Sequence, residues 1–252
     1  VVSCVKRKVF FFFFSLFYAS LLSLLLLWLT NKNNSHTMAA DYEQQSYWHE
    51  RFSSETAFEW LLSSSDFLRL IDPLLASLDR SSEILHIGSG TSDLHNHLRR
   101  RGFLRVTNLD YEPLAADRGR ALERRAFGDV RLRYAVADAT RLPQDLVAAA
   151  ASDDDGDDDG DDGPRCEFQL ALDKSTCDAV SCGGEDALRK MCDGVYQCIR
   201  PDGAWIALSF SADRFRLSNL PFEVEVLSKI PTPKSRATDP DVFYWCYCLR
   251  PR

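Results

Sequence analysis

The sequence predicts an α/β fold: a three-layer sandwich on a mostly parallel seven-stranded sheet that ends in a C-terminal antiparallel hairpin. Three observations carry this expectation. Short apolar runs alternate with helical patterning through most of the chain, the signature of strands joined by crossover helices. The last two apolar runs, Phe222–Ile230 and Val242–Leu249, follow each other with only a polar, proline-punctuated connection between them, so they pair as a hairpin and make that edge mixed. A length of 252 residues, 45% apolar and 27% charged, fits one substantial domain and excludes both wholesale disorder and a multi-pass membrane protein.

In chain order, residues 42–58 are polar and aromatic by turns. Phe58, Leu61, Leu62, Ile71, Leu74, Leu75 and Leu78 keep helical spacing, and Ser63–Ser65 and Pro73 divide this stretch into two helical pieces. Glu83–Ile87 reads as a strand running into Gly88-Ser89-Gly90-Thr91-Ser92. A helix over 93–101 follows, stopped by Gly102. Leu104–Leu109 is the second strand, 113–125 a helix, and Val130–Val136 the third strand, with Asp138 just beyond. Phe168–Leu172 is the fourth strand, ending in Asp173 and Lys174. A helix over 186–199 stops around Pro201-Asp202-Gly203, and Ala204–Phe210 is the fifth strand.

Charge and cysteine content narrow the function classes. The formal net charge is −7, but eight aspartates sit between Asp153 and Asp162; without them the remainder is +1. An almost neutral body argues against a nucleic-acid binder driven by bulk positive charge. Like charges separated by glycines cannot pack together, so residues 151–164 read as a disordered acidic insertion. The run also lacks the spacing of a calcium loop. The eight cysteines include no zinc-ligand set, and a chain this long does not need a disulfide scaffold; most are expected to be reduced thiols. Cys246 and Cys248 are expected on opposite faces of the last strand.

Residues 1–37 form a separate hydrophobic segment ahead of a domain over 38–252. Val9–Leu29 is uncharged and follows Lys6, Arg7 and Lys8, which suits a membrane span. Its Phe/Leu/Ser composition and the soluble start offered by Met38 suit a gene-model artefact instead, and a fragment boundary is the third reading.

Three features fall beyond the carboxyl ends of strands, where open α/β sheets bind ligands. Gly88 and Gly90 follow the first strand and open a helix, so backbone can approach a ligand there. Asp110 ends the second strand 20 residues after Gly90, the spacing of a carboxylate that accepts from ribose hydroxyls. Asp138 ends the third strand, near where an adenine amino group would lie. Position 93 is Asp where a dinucleotide fingerprint has glycine, and no Gly-Lys-Ser/Thr follows the loop. The spacing favours an adenosine cofactor without a pyrophosphate.

The segment Ile84-Leu85-His86-Ile87-Gly88-Ser89-Gly90-Thr91-Ser92-Asp93-Leu94 resembles the first motif of class I S-adenosylmethionine-dependent methyltransferases. Four further elements resemble the subgroup that methylates lysines of elongation factor 1A. They are Tyr47-Trp48-His49-Glu50-Arg51-Phe52, Phe58-Glu59-Trp60, Asn108-Leu109-Asp110-Tyr111-Glu112 and Asp173-Lys174-Ser175-Thr176-Cys177-Asp178-Ala179. Departures are His86 where an acid is common, Ser175 for glycine, Cys177 for leucine, and the aspartate insertion.

The resemblance implies a Rossmann-like methyltransferase fold, S-adenosylmethionine as cofactor and a protein lysine as acceptor. By it, Trp48 and Arg51 close over the methionine end, with Arg51 drawing the carboxylate. Gly88 and Gly90 admit that end, Asp110 holds the ribose, Tyr111 packs on adenine, and Asp138 with Ala139 frames the base. Asp173 is expected to orient the acceptor region and Lys174 to position cofactor or substrate. His86 reads as a satisfied core histidine. A small-molecule methyltransferase and a catalytically inactive interaction module are the alternative functions. Neither a metal nor a nucleic-acid partner is expected. The expected location is cytoplasmic, with a membrane-anchored form through residues 9–29 as the alternative.

Overall fold

A computed structural model describes residues 41–152, 167–234, 236 and 238–252. Val9–Leu29, Met38 and the aspartate run Asp153–Asp162 lie outside the described residues. Tyr42–Arg252 forms one compact unit.

Seven strands form one sheet: β1 (Ile84–Ile87), β2 (Val106–Asp110), β3 (Arg133–Val136), β4 (Phe168–Lys174), β5 (Ile199–Ser209), β6 (Phe222–Pro231) and β7 (Phe243–Pro251). Their order is β3-β2-β1-β4-β5-β7-β6. The first five are parallel, while β7 runs antiparallel to both β5 and β6. The expected mostly parallel sheet with a terminal antiparallel pair is therefore present, and β7 inserts between β5 and β6. The helices are α1 (Gln45–Ser54), α2 (Ser64–Leu70), α3 (Asp72–Ser77), α4 (Leu94–Arg100), α5 (Pro113–Phe127), α6 (Gln144–Ser152), α7 (Thr176–Ser181) and α8 (Glu185–Cys198).

Burial explains the layers. β1, β2 and nearly all of β4 are covered on both faces, as a central parallel sheet requires. Leu85, Ile87, Ala171, Trp205 and Ala207 pack against Met191 and Val195 of α8 on one face. Ile84, Val106, Leu170, Leu172 and Ile206 meet Phe67, Leu68, Leu94 and Leu98 on the other. Each fully buried Leu or Ile contributes about 1.5–3 kcal/mol.

Local chemistry moves several boundaries. Phe58–Leu62 is not helical: Leu61 takes φ 62°, and the Ser63 hydroxyl caps α2 by accepting from the Asp66 N–H. Leu61 and Leu62 still pack against the core while Phe58 is exposed, so the periodicity there reported partial burial and not helix. β5 begins at Ile199, directly after α8, and carries Pro201 and Gly203 within it. A Cβ on Gly203 would lie 2.7 Å from Ile199 and 2.9 Å from the Gln169 carbonyl oxygen.

Cys246 and Cys248 both join the α2/α4 face, while Tyr247 joins the other. Opposite faces were the wrong expectation, because a strand repeats every two residues and i and i+2 share a face. Cys177, Cys182, Cys192, Cys246 and Cys248 are free thiols. The membrane-span reading is also corrected: among the described residues no helix is long and apolar enough to cross a membrane. The stretch Val9–Leu29 on which that reading rested is itself outside them.

Candidate active site

The carboxyl ends of β1, β2, β3, β4 and β5 converge on a cavity of ≈ 440 Å³. Gly88 (φ 62°) and Gly90 (φ 50°) turn the chain out of β1 in left-handed conformations that favour glycine. Their packing separates their roles. A Cβ on Gly88 would sit 2.1 Å from Thr176 Oγ1, so α7 already fills that space, whereas one on Gly90 would meet the Phe52 ring at an ordinary 3.5 Å. Gly88 is thus required by the protein's own packing. Thr176 fastens the contact by donating to the Ile87 carbonyl at 3.0 Å.

Asp110 ends β2 with both carboxylate oxygens engaged: Gly90 N–H donates to one at 2.8 Å and Glu112 N–H to the other at 2.9 Å. Burial pushes its pKa up to about 6 against the pull of those amides. Tyr111 follows it along the cavity wall. Asp138 sits beyond β3 and accepts from both the N–H and the hydroxyl of Thr140 at 2.8 Å, opening a single 3-10 turn that begins at Ala139. Gly88, Gly90, Asp110, Tyr111, Asp138 and Ala139 all line the cavity, so the structure brings these sequence-identified residues together.

The roof comes from α1 and the turn after it. Trp48 lines the cavity and donates its indole N–H to the Tyr42 carbonyl at 2.7 Å. Arg51 does not line it. Its guanidinium pairs with Glu55 at 2.7 Å, donates to Tyr47 at 3.0 Å, and stacks over Phe58 and Trp60. Glu55 in turn accepts from Thr91 in the glycine loop at 3.2 Å. In this arrangement Arg51 shapes the roof and reaches the loop through Glu55. Gln45 donates to the Tyr111 carbonyl at 2.6 Å, and Arg118 donates to the Phe52 carbonyl, tying α1 to α5.

On the β4 side, Lys174 lines the cavity but is already paired: Nζ lies 2.5 Å from Glu59 and 3.2 Å from the Trp60 carbonyl. Burial raises Glu59, but Lys174, Ser64 and Ser92 outweigh it and bring the carboxyl below its ordinary range. Burial lowers Lys174 against the pull of Glu59. Asp173 is fully buried and absent from the cavity wall. It accepts from the N–H groups of Thr176 at 2.7 Å and Cys177 at 3.1 Å, so it orients the region through the backbone of α7. Burial pushes its pKa up to about 7.

The strand-end logic missed Asp178 and Phe210, which line the cavity, and Arg214, which holds Asp178 from 36 residues away. Phe210 directly follows the last residue of β5 and carried the same positional signal as Asp110 and Asp138. His86 is buried and bonded through Nδ1 to Asn108 Oδ1 at 3.0 Å; burial pushes its pKa down to about 4, so it is a neutral side chain at the cavity floor.

A cavity of this size, with the carboxylate of Asp110 at one end of β2 and a glycine loop beside it, fits an adenosyl cofactor. No family model matches the chain. A Neurospora crassa protein named Methyltransferase srdJ is 50% identical over 213 residues, covering 84% of this chain and 85% of that protein. The chain belongs to the class I S-adenosylmethionine-dependent methyltransferases. The fold agrees. The N-methyltransferase NodS from Bradyrhizobium japonicum, solved with S-adenosyl-L-homocysteine, superposes with a TM-score of 0.54 at 13% identity, over 81% of this chain and 99% of that one. More distant in sequence than the Neurospora protein is EEF1A lysine methyltransferase 4 of Mus musculus, 26% identical over 189 residues. That match takes in 70% of this methyltransferase and 64% of the mouse protein.

S-adenosylmethionine brings an electrophilic methyl group on a sulfonium. Of this methyltransferase's own residues, Asp110, Tyr111, Asp138 and Ala139 line one part of the cavity, and Trp48, Phe52 and Trp60 line its aromatic roof. Among the described residues no group of three His, Cys, Asp or Glu side chains is placed to hold a metal ion.

Proposed function

We propose that this methyltransferase acts in the cytoplasm and transfers a methyl group to a lysine side chain of a protein, with elongation factor 1A as the first candidate. The carrying observation is the cavity lining, to which Tyr42, Trp60 and Phe210 contribute aromatic rings and Glu43 a carboxylate. Aromatic faces with a carboxylate attract an ammonium group and its alkyl stem. The names of relatives such as the mouse protein support the same acceptor, and free thiols suit a reducing compartment.

In the transfer, the neutral amine attacks the methyl carbon in line. The carbon–sulfur bond breaks with its electron pair going to sulfur, and a proton leaves the nitrogen for solvent. Positioning supplies most of the acceleration. The roles proposed for Asp110, Tyr111, Asp138, Ala139, Gly88, Gly90 and Trp48 are cofactor contacts. Arg51 and Lys174 support the roof, and Asp173 orders α7.

The test is tritiated methyl transfer to purified elongation factor 1A and to a proteome extract, followed by mass-spectrometric assignment of the modified residue. A methylated lysine is the expected product. Label confined to the small-molecule fraction would replace this reading with small-molecule methylation.

A further inference from the structure

The cavity has two ends. Asp110, Tyr111, Asp138 and Ala139 take one of them, beyond β2 and β3, and provide for the nucleoside. The opposite end, beyond β4 and β5, is bounded by Asp178 and Phe210. Phe210 is 57% exposed, above every other large apolar side chain among the described residues, although it follows directly on the buried end of β5.

The ring is held there by a buried ion pair. Asp178 accepts from the Phe210 N–H at 3.2 Å, from Ser175 at 3.1 Å and from Ser209. Arg214 reaches the same carboxylate twice, Nε at 2.9 Å and Nη2 at 2.8 Å, and its guanidinium carbon lies 5.4 Å from the Phe210 ring centre. Ser209 also accepts from the Ser211 N–H at 3.0 Å, and Tyr247 donates to the Ser211 carbonyl at 2.7 Å. Every donor in this set acts on residues 209–211 or on the Asp178 carboxylate beneath them. Buried ion pairs are weak stabilisers, because desolvation offsets their attraction; their product is fixed geometry. The geometry fixed here is an apolar ring kept in water at the cavity edge, forgoing the gain that burial would bring unless a second apolar surface covers it.

We propose that Phe210 is the side chain that contacts the methyl acceptor and selects its stem, and that Asp178 and Arg214 are positioning residues that hold it in place. This rests on the cofactor lying toward β2 and β3; it does not require the acceptor to be lysine.

The experiment uses the protein saturated with S-adenosylhomocysteine and three probes, n-hexylammonium, phenol and hexanoate, each titrated at millimolar concentration by ligand-observed NMR. Inter-ligand Overhauser contacts to the homocysteine methylenes identify which probe sits beside the sulfur. At least one probe is expected there, with Phe210→Ala weakening it fivefold or more and Phe210→Trp restoring it. Affinity for S-adenosylhomocysteine should stay within twofold of wild type in both variants. Arg214→Lys, which keeps the charge and loses the fork, is expected to weaken the same probe two- to threefold. Contact by n-hexylammonium alone supports the lysine acceptor as well. Contact by phenol or hexanoate instead removes the lysine reading and leaves Phe210 standing. No inter-ligand contact from any probe, or a contacting probe indifferent to Phe210→Ala, overturns the proposal.

Discussion

In the role proposed for it, Asp110 should make cofactor affinity depend on pH. Burial pushes its pKa up to about 6 in the free protein, and a ribose diol needs the ionised carboxylate with both oxygens accepting. Affinity is divided by the fraction of protein in the competent state. With a pKa of about 6 that fraction is roughly 90% at pH 7 and roughly 10% at pH 5, so the dissociation constant should rise about ninefold between them. His86 and His95, both pushed down to about 4 by burial, stay neutral throughout. Asp173, at about 7, titrates nearby but has no face on the cavity. Asp110→Asn is the control, since it cannot titrate: its affinity should be weaker than wild type at pH 7 and flat down to pH 5. Calorimetric titration of S-adenosylmethionine at pH 5, 6 and 7 measures both proteins. An unchanged wild-type constant across that range, or an equal slope in the Asn variant, would refute the assignment of Asp110 to the diol.

Linkage predicts the companion effect on the free protein. A carboxyl whose folded pKa is raised binds more protons folded than unfolded, so the Asp110 contribution to stability is greatest below about pH 4 and is lost as pH rises through about 6; urea melts of Asp110→Asn should lack this slope. Glu59→Gln leaves the buried ammonium of Lys174 without its counter-charge and should cost about 2–3 kcal/mol, less than the range for fully buried pairs because Glu59 is partly exposed. Adding Lys174→Met should recover most of that loss in the same urea assay, and a single variant within 0.5 kcal/mol of wild type would mean the pair is idle. Gly88→Ala drives a Cβ into Thr176 at a positive φ and should lower the melting temperature well beyond Gly90→Ala, where only the backbone strain of about 1–2 kcal/mol applies. Equal melting points for the two variants would show that α7 gives way.

The parts of this site that could be read from the sequence are those whose position follows from strand order alone. Central parallel strands are buried on both sides, so β1, β2 and β4 carry no charged residue until their carboxyl ends. The residues just past them, Gly88, Gly90, Asp110 and Asp138, inherit their place from the sheet. What escaped reading depends on contacts distant along the chain or on the path taken after a strand ends. Asp173 lies next to the end of β4 as Asp110 lies at the end of β2, yet Ser175 at φ 77° turns the chain so that the Asp173 carboxylate accepts from the α7 backbone and is absent from the cavity wall. Arg51 has the motif's identity, but Glu55 one helical turn away captures it. Asp178 and Arg214 carry no mutual spacing signal.

The contact between Gly88 and Thr176 bears on how this methyltransferase measures its acceptors. The glycine loop and α7 touch with no room for a single additional carbon, and one hydrogen bond joins them. With the donor and acceptor sides as proposed, the two halves of the site meet at this contact, so widening it at Gly88 should alter how long an acceptor stem the cavity takes.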